Sequence, residues 1–139
     1  MHEYPGLTVS VPLFFNLDGS VDFETLDRYL KEVCKNDCIY AVYAMAYNTR
    51  YRMLSIREVL EVNRFICRAT KAHDKKVFVG HPIQASKEEL YDYLAEIADE
   101  SPDGVSMLYP ERFFGQADPI IDFVSAPKQF GLEIVVHES

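Results

Sequence analysis

The chain has 139 residues, length enough for one ordinary domain, and with 48% hydrophobic and 26% charged residues it reads as globular. Fourteen Lys and Arg against 22 Asp and Glu leave a net charge of −8, which argues against a nucleic-acid partner, because phosphate neutralisation needs a basic patch. No apolar run approaches the roughly 20 residues that a membrane-spanning helix requires.

Met1-His2-Glu3-Tyr4-Pro5 offers neither a basic start nor an apolar stretch, so no secretory signal is expected. Three cysteines, Cys34, Cys38 and Cys67, make an odd count without a Cys-x-x-Cys spacing. This favours reduced thiols and a cytoplasmic setting over a disulfide framework. Cys34 and Cys38 are read as small apolar side chains near a helix end rather than a redox pair.

Taken in order, short apolar runs alternate with amphipathic helices. The first run is Leu7 to Leu13, followed by a turn at Asp18-Gly19. Asp22 is placed to cap a helix whose stripe is Phe23, Leu26, Tyr29, Leu30 and Val33. A second strand is expected from Ile39 to Met45. Ser55-Ile56-Arg57-Glu58 is a capping box for a helix reaching about Ala72, with Val59, Leu60, Ile66 and Ala69 inward. Val77 to Gly80 is the third strand. Ser86-Lys87-Glu88-Glu89 is a second capping box, and its helix carries Leu90, Tyr93, Leu94, Ile97 and Ala98. Gly104 to Leu108 is the fourth strand. Asp118-Pro119 reads as a cap followed by proline at the first helical position, and Pro127 as the end of that helix. Ile134 to Val136 is the fifth strand.

Strands alternating with helices imply right-handed crossovers and a parallel sheet. A repeat of roughly 30 residues suits a (β/α)8 TIM barrel of about 250 residues. The expected fold is therefore a partial barrel, residues 1–139 forming its N-terminal five strands and lacking strands six to eight. An open doubly wound parallel sheet is the alternative. No Gly-rich phosphate loop follows any strand, and the sequence stops on a strand with no helix behind it; both lean toward the barrel. Such an arc leaves two open edges and an uncovered face, so dimerisation, aggregation or poor folding of the isolated chain is expected.

In either fold, chemistry belongs at the carboxyl ends of the strands. Those ends are polar and aromatic here: Pro12, Phe14 and Phe15; Tyr47, Asn48, Thr49 and Arg50; His81 and Gln84; Tyr109, Glu111 and Arg112; His137, Glu138 and Ser139. Asn48, His81, Tyr109 and His137 are expected to project toward one mouth. His81, His137, Glu111 and Glu138 are suitable metal ligands by type, but they come from different strands without local spacing, so no metal and no cofactor are expected. A Ser-His-Asp hydrolase is a weaker reading still, since no Gly-x-Ser-x-Gly elbow is present, and Ser10 and Ser106 are read as wall residues.

The ordered set of motifs resembles the dihydrodipicolinate synthase / N-acetylneuraminate lyase family. Val11-Pro12-Leu13-Phe14 with Asp18-Gly19-Ser20-Val21-Asp22 is similar to the family's opening, a strand ending Thr-Pro-Phe and then Asp-Gly-Ser-Val-Asp. Met53-Leu54-Ser55-Ile56-Arg57-Glu58 resembles its Thr-Leu-Ser-x-x-Glu helix start. Val77-Phe78-Val79-Gly80 resembles its third strand, and Asp103-Gly104-Val105 with Pro110 its fourth. The resemblance implies an aldolase-type barrel, a lyase that forms a Schiff base between a lysine and pyruvate or another 2-keto acid, and a homo-oligomer in the complete protein.

Three positions depart from that pattern. Ala46-Tyr47-Asn48-Thr49-Arg50 stands where the family holds the keto-acid carboxylate with Gly-Thr-Thr-Gly-Glu. His137 stands at the proton-shuttling tyrosine of strand five, and Glu111-Arg112 replaces a Tyr-Tyr pair. The resemblance thus implies His137 as the catalytic group, with Tyr47, Asn48, Arg50, His81 and Tyr109 as substrate-binding residues. The Schiff-base lysine belongs to strand six, outside this chain; Lys75, Lys76 and Lys128 are poor substitutes. The competing expectation is a non-catalytic α/β binding module or an inactive barrel fragment.

Overall fold

The computed structural model describes residues 5–44 and 50–136. Its strands are β1 (Leu7–Ser10), β2 (Ile39–Ala44), β3 (Lys76–Val79), β4 (Gly104–Met107) and β5 (Ile134–Val136). The α-helices are α1 (Phe23–Cys34), α2 (Ile56–Lys71), α3 (Lys87–Ala98) and α4 (Ala117–Val124). The strands lie in the order β1-β2-β3-β4-β5, every neighbouring pair parallel. A doubly wound sheet would interrupt that order at a switch point, so the order removes that alternative. The sheet is not closed: β1 and β5 are its two edges.

The helix starts follow from the sequence. Asp22 accepts from the Thr25 N–H at 2.9 Å. Ser55 and Glu58 form a reciprocal capping box, as do Ser86 and Glu89. The start of α4 corrects the sequence reading: Gln116 is its N-cap and gives no side-chain bond, while Asp118 already lies inside the helix. Pro119 is then the third helical residue. Proline is tolerated there because the first-turn N–H groups have no partner within the helix. Pro127 does not simply stop α4; it is buried within a 3-10 segment, Ala126–Phe130, that follows at once.

Alternation along the strands separates two faces. Val42, Ala44, Val77, Val79, Val105 and Met107 form one continuous core with Leu26, Leu30, Val59, Ile66, Leu90, Leu94 and Ile97 of the helices. The other face presents Thr8, Ser10, Tyr43, Phe78, Ser106 and Val135, none of which belongs to that core. In a closed barrel this second face lines the interior. Thr8 and Ser10 are exposed here, Tyr43 and Phe78 half-buried, and Val135 is 41% exposed.

The amino ends of the strands are tied down by Asp103. Its Oδ2 accepts from the Val77 N–H at 2.9 Å, and its Oδ1 meets Lys76 Nζ at 3.2 Å. The next residue, Gly104, has a packing reason: a Cβ there would sit 3.0 Å from Cδ1 of the Phe78 ring.

Candidate functional site

The carboxyl ends of β3 and β4 are joined through His81. Its Nε2 accepts the Leu108 N–H at 3.0 Å, and its Nδ1 lies 3.3 Å from the Pro82 carbonyl. These contacts fix the tautomer: Nδ1 carries the proton and donates, and Nε2 is the acceptor. The ring is fully buried and meets Phe123 of α4 edge-on at 5.5 Å. Burial is the main cause that pushes its pKa down to about 4. His81 is therefore a neutral strap inside the protein at neutral pH.

Gly80, just before it, is held by a second network. Tyr93 of α3 donates its hydroxyl to the Gly80 carbonyl at 2.7 Å, and Asn63 of α2 donates to that hydroxyl at 2.8 Å. Burial raises the Tyr93 pKa, so this phenol stays protonated and donating. Two helices thus fix the end of β3, and β3 through His81 fixes the backbone that leads to Tyr109.

Tyr109 is half-buried, two residues beyond β4, with its ring 5.8 Å from that of Phe114. Phe114 is 65% exposed. Between them Glu111–Phe113 forms a 3-10 turn. Arg112 donates to the Ala85 carbonyl at 3.3 Å and lies over the Phe113 ring. Arg112 thus ties this turn to the residue just before the N-cap of α3.

Of the residues expected at one mouth, His81 is bonded to the backbone of Leu108, the residue before Tyr109, and is turned into the helix layer instead of an open cavity. Arg50 opens a 3-10 turn, Arg50–Met53, that leads into α2. Tyr47, Asn48 and His137 lie outside the described residues. Lys76 sits at the amino end of β3, the wrong end for this site. Among the described residues, no three His, Cys, Asp or Glu side chains gather as a metal site. No described helix is long and apolar enough to cross a membrane.

The sequence reading missed Tyr43. Its hydroxyl lies 2.9 Å from Ser106 Oγ, spanning β3 on the face away from the helices. The available signal was phase. Tyr43 sits between Val42 and Ala44, and Ser106 between Val105 and Met107, so both polar residues occupy the alternate face of strands whose other face is wholly aliphatic. A groove of about 410 Å³ lies elsewhere, between α3 and α4, lined by Lys87, Tyr91, Arg112, Asp122 and Phe123. The Lys87–Asp122 ion pair crosses it at 3.0 Å.

No family model matches the sequence, and no curated protein does. Solved structures do match. The 4-hydroxy-tetrahydrodipicolinate synthase of Methylacidiphilum fumariolicum SolV is similar with a TM-score of 0.82 at 20% identity, over 99% of this chain and 45% of its own. A prophage protein of the dihydrodipicolinic acid synthase family from E. coli K12, in complex with pyruvate, is similar with a TM-score of 0.84 at 14% identity, over 98% and 45%. N-acetylneuraminate lyase from Fusobacterium nucleatum complexed with pyruvate gives 0.78 at 16% identity, over 95% and 44%. The chain spans less than half the length of these proteins. It has the fold of the N-terminal part of the aldolase-type TIM barrels to which dihydrodipicolinate synthase and N-acetylneuraminate lyase belong.

Proposed function

We propose that the polypeptide carrying this chain is a lyase or synthase that acts on pyruvate or another 2-keto acid through a Schiff base. The observation that carries this reading is the sequential parallel β1–β5 arrangement, which is similar to such barrels over nearly the whole chain. Two of the similar structures contain pyruvate.

In this reading the nucleophile is a lysine on a strand beyond β5. Its amine condenses with the ketone, water leaves, and the resulting iminium accepts the electron pair of the carbon–carbon bond being broken, or releases it when a bond forms. His137 gives and takes the proton, a role suited to a side chain that titrates near neutral pH. Asn48 and Arg50 bind the substrate carboxylate, the guanidinium through a bidentate pair and the amide through one further donor. Tyr47 and Tyr109 line the mouth. His81 acts through the backbone it straps, so it is a positioning residue for Leu108 and Tyr109.

The test uses the polypeptide as encoded, from first codon to stop. It is mixed with pyruvate and related 2-keto acids, reduced with borohydride and examined by mass spectrometry. An adduct on a lysine C-terminal to β5 is expected. Binding of pyruvate with no trapped adduct would replace the lyase with a binding module. Trapping with turnover unchanged in His137→Phe would keep the Schiff base and remove the role given to His137.

A further inference from the structure

The face of the sheet turned away from the helices carries a hydroxyl pair with no part in the machinery above. Tyr43 and Ser106 each sit one residue before the carboxyl end of their strands, β2 and β4. Their oxygens are 2.9 Å apart, with β3 running between. Phe78 of β3, in register with Tyr43, is half-buried on the same face, and its ring is what a Cβ on Gly104 would meet. Two hydroxyls therefore meet on the open face, one residue from the carboxyl ends of their strands, where parallel folds place their ligands.

The two oxygens differ in access. Ser106 is only 2% exposed, whereas Tyr43 is partly open. One bond between two hydroxyls has two proton arrangements. With Tyr43 donating, the serine proton finds no acceptor among the described residues, and a buried donor is left unsatisfied. With Ser106 donating instead, the serine is satisfied and the tyrosine O–H is released to the open face. A hydroxyl that accepts one hydrogen bond also becomes a stronger donor in the next. Burial raises the Tyr43 pKa, so the phenol keeps its proton through the neutral range.

We propose that Tyr43 is a ligand-binding residue. Its hydroxyl donates to an oxygen of a small carbonyl- or carboxylate-bearing molecule on the face away from the helices, and Ser106 holds that hydroxyl in the donating orientation. The chemistry selects an acceptor, because the relay supplies one outward proton. This assignment rests on the 2-keto acid reading above and adds a contact from strand two to it. No bond is made or broken; only the direction of one hydroxyl–hydroxyl contact reverses.

The test titrates pyruvate labelled with carbon-13 at C2 into the encoded polypeptide and follows its affinity and carbonyl chemical shift. Tyr43→Phe is expected to weaken binding by about tenfold, the scale of one lost hydrogen bond, and to move the bound carbonyl shift toward that of a ketone without a donor. Ser106→Ala is expected to weaken binding by a smaller factor and to move the shift in the same direction. Ser106→Thr keeps the hydroxyl and is expected to restore both. Thermal melts of the variants show whether folding has been lost. A folded Tyr43→Phe variant with wild-type affinity and shift overturns the proposal. If that variant is also trapped by borohydride like the wild type, the lyase reading stands without Tyr43. If the wild type neither binds pyruvate nor is trapped, both readings fall.

Discussion

Nε2 of His81 accepts the backbone N–H of Leu108 at 3.0 Å, linking the end of β3 to the residue that leads out of β4. The bond requires a neutral imidazole, and burial holds the His81 pKa at about 4 against an ordinary value of 6.5. Below pH 6.5 the unfolded chain takes up a proton that the folded chain refuses, so stability is complete above that pH and falls as pH drops toward 4. At pH 5 the loss is roughly 2 kcal/mol relative to pH 8. Urea midpoints across pH 8 to 5 are expected to show this fall. His81→Leu is expected to be less stable at pH 8 and flatter over the same range. Glu58 and Glu100, whose carboxylates are held low by hydrogen bonds, lose their stabilisation as pH falls through the ordinary carboxylate range, so their effect begins only at the acid end of this window.

Thiol chemistry should divide the cysteines. Cys38 is exposed, while Cys34 and Cys67 are buried. Burial pushes the Cys67 thiol up to about 12 and also raises that of Cys34. An aromatic disulfide reagent at pH 8 is expected to label Cys38 quickly, and the other two only after denaturant is added. Fast labelling of Cys67 in the native chain would contradict the packing of α2 on the sheet.

Two glycine substitutions probe close contacts at the sheet's amino end. Gly6 has φ +132°, and a Cβ there would meet the Cys38 carbonyl at 2.7 Å, so Gly6→Ala combines backbone strain with a clash against main chain. A loss of about 2–3 kcal/mol is expected. Gly104→Ala meets the side chain of half-buried Phe78 rather than main chain and carries no backbone strain, and about 1 kcal/mol is expected. Chemical denaturation of both variants should give that order.

The two capping boxes should be worth similar amounts. Ser55→Ala and Ser86→Ala each remove an acceptor for a first-turn N–H, and each is expected to lower stability by about 1 kcal/mol. Because the two boxes open different helices, the double variant should show a nearly additive loss in the same denaturant series.

Much of this architecture was legible because local chemistry and burial agree. Ser55 and Ser86 start α2 and α3 where the capping boxes put them, and Leu90, Tyr93, Leu94 and Ile97 are the buried stripe of α3. The disagreements have local causes. The strand expected to reach Leu13 ends at Ser10, with one more ladder bond from Val11 to Tyr43, because Pro12 has no N–H to extend it. Asp118-Pro119 mimics a helix cap, yet the chain enters α4 two residues earlier, from Gln116.

The site was less legible. Polarity at the strand ends does not say which way a side chain turns, and His81 turns inward, where its two ring nitrogens are used by backbone. Tyr43 is hidden in an apolar run, and its importance depends on which face the helices cover. That is a property of the assembled sheet, not of the segment Ile39–Ala44.

The central claim is that a small keto acid binds at the carboxyl ends of the strands, on the face away from the helices. It is tested most directly by titrating pyruvate into the nitrogen-15-labelled polypeptide as encoded and following its amide resonances. The account predicts that the shifts gather at Asn48, Arg50, Ser106, Leu108, Tyr109 and His137, while Gly6, Lys76 and Asp103 at the amino ends stay fixed. Shifts centred on those amino ends or on the groove between α3 and α4, or no shifts at all, would contradict it.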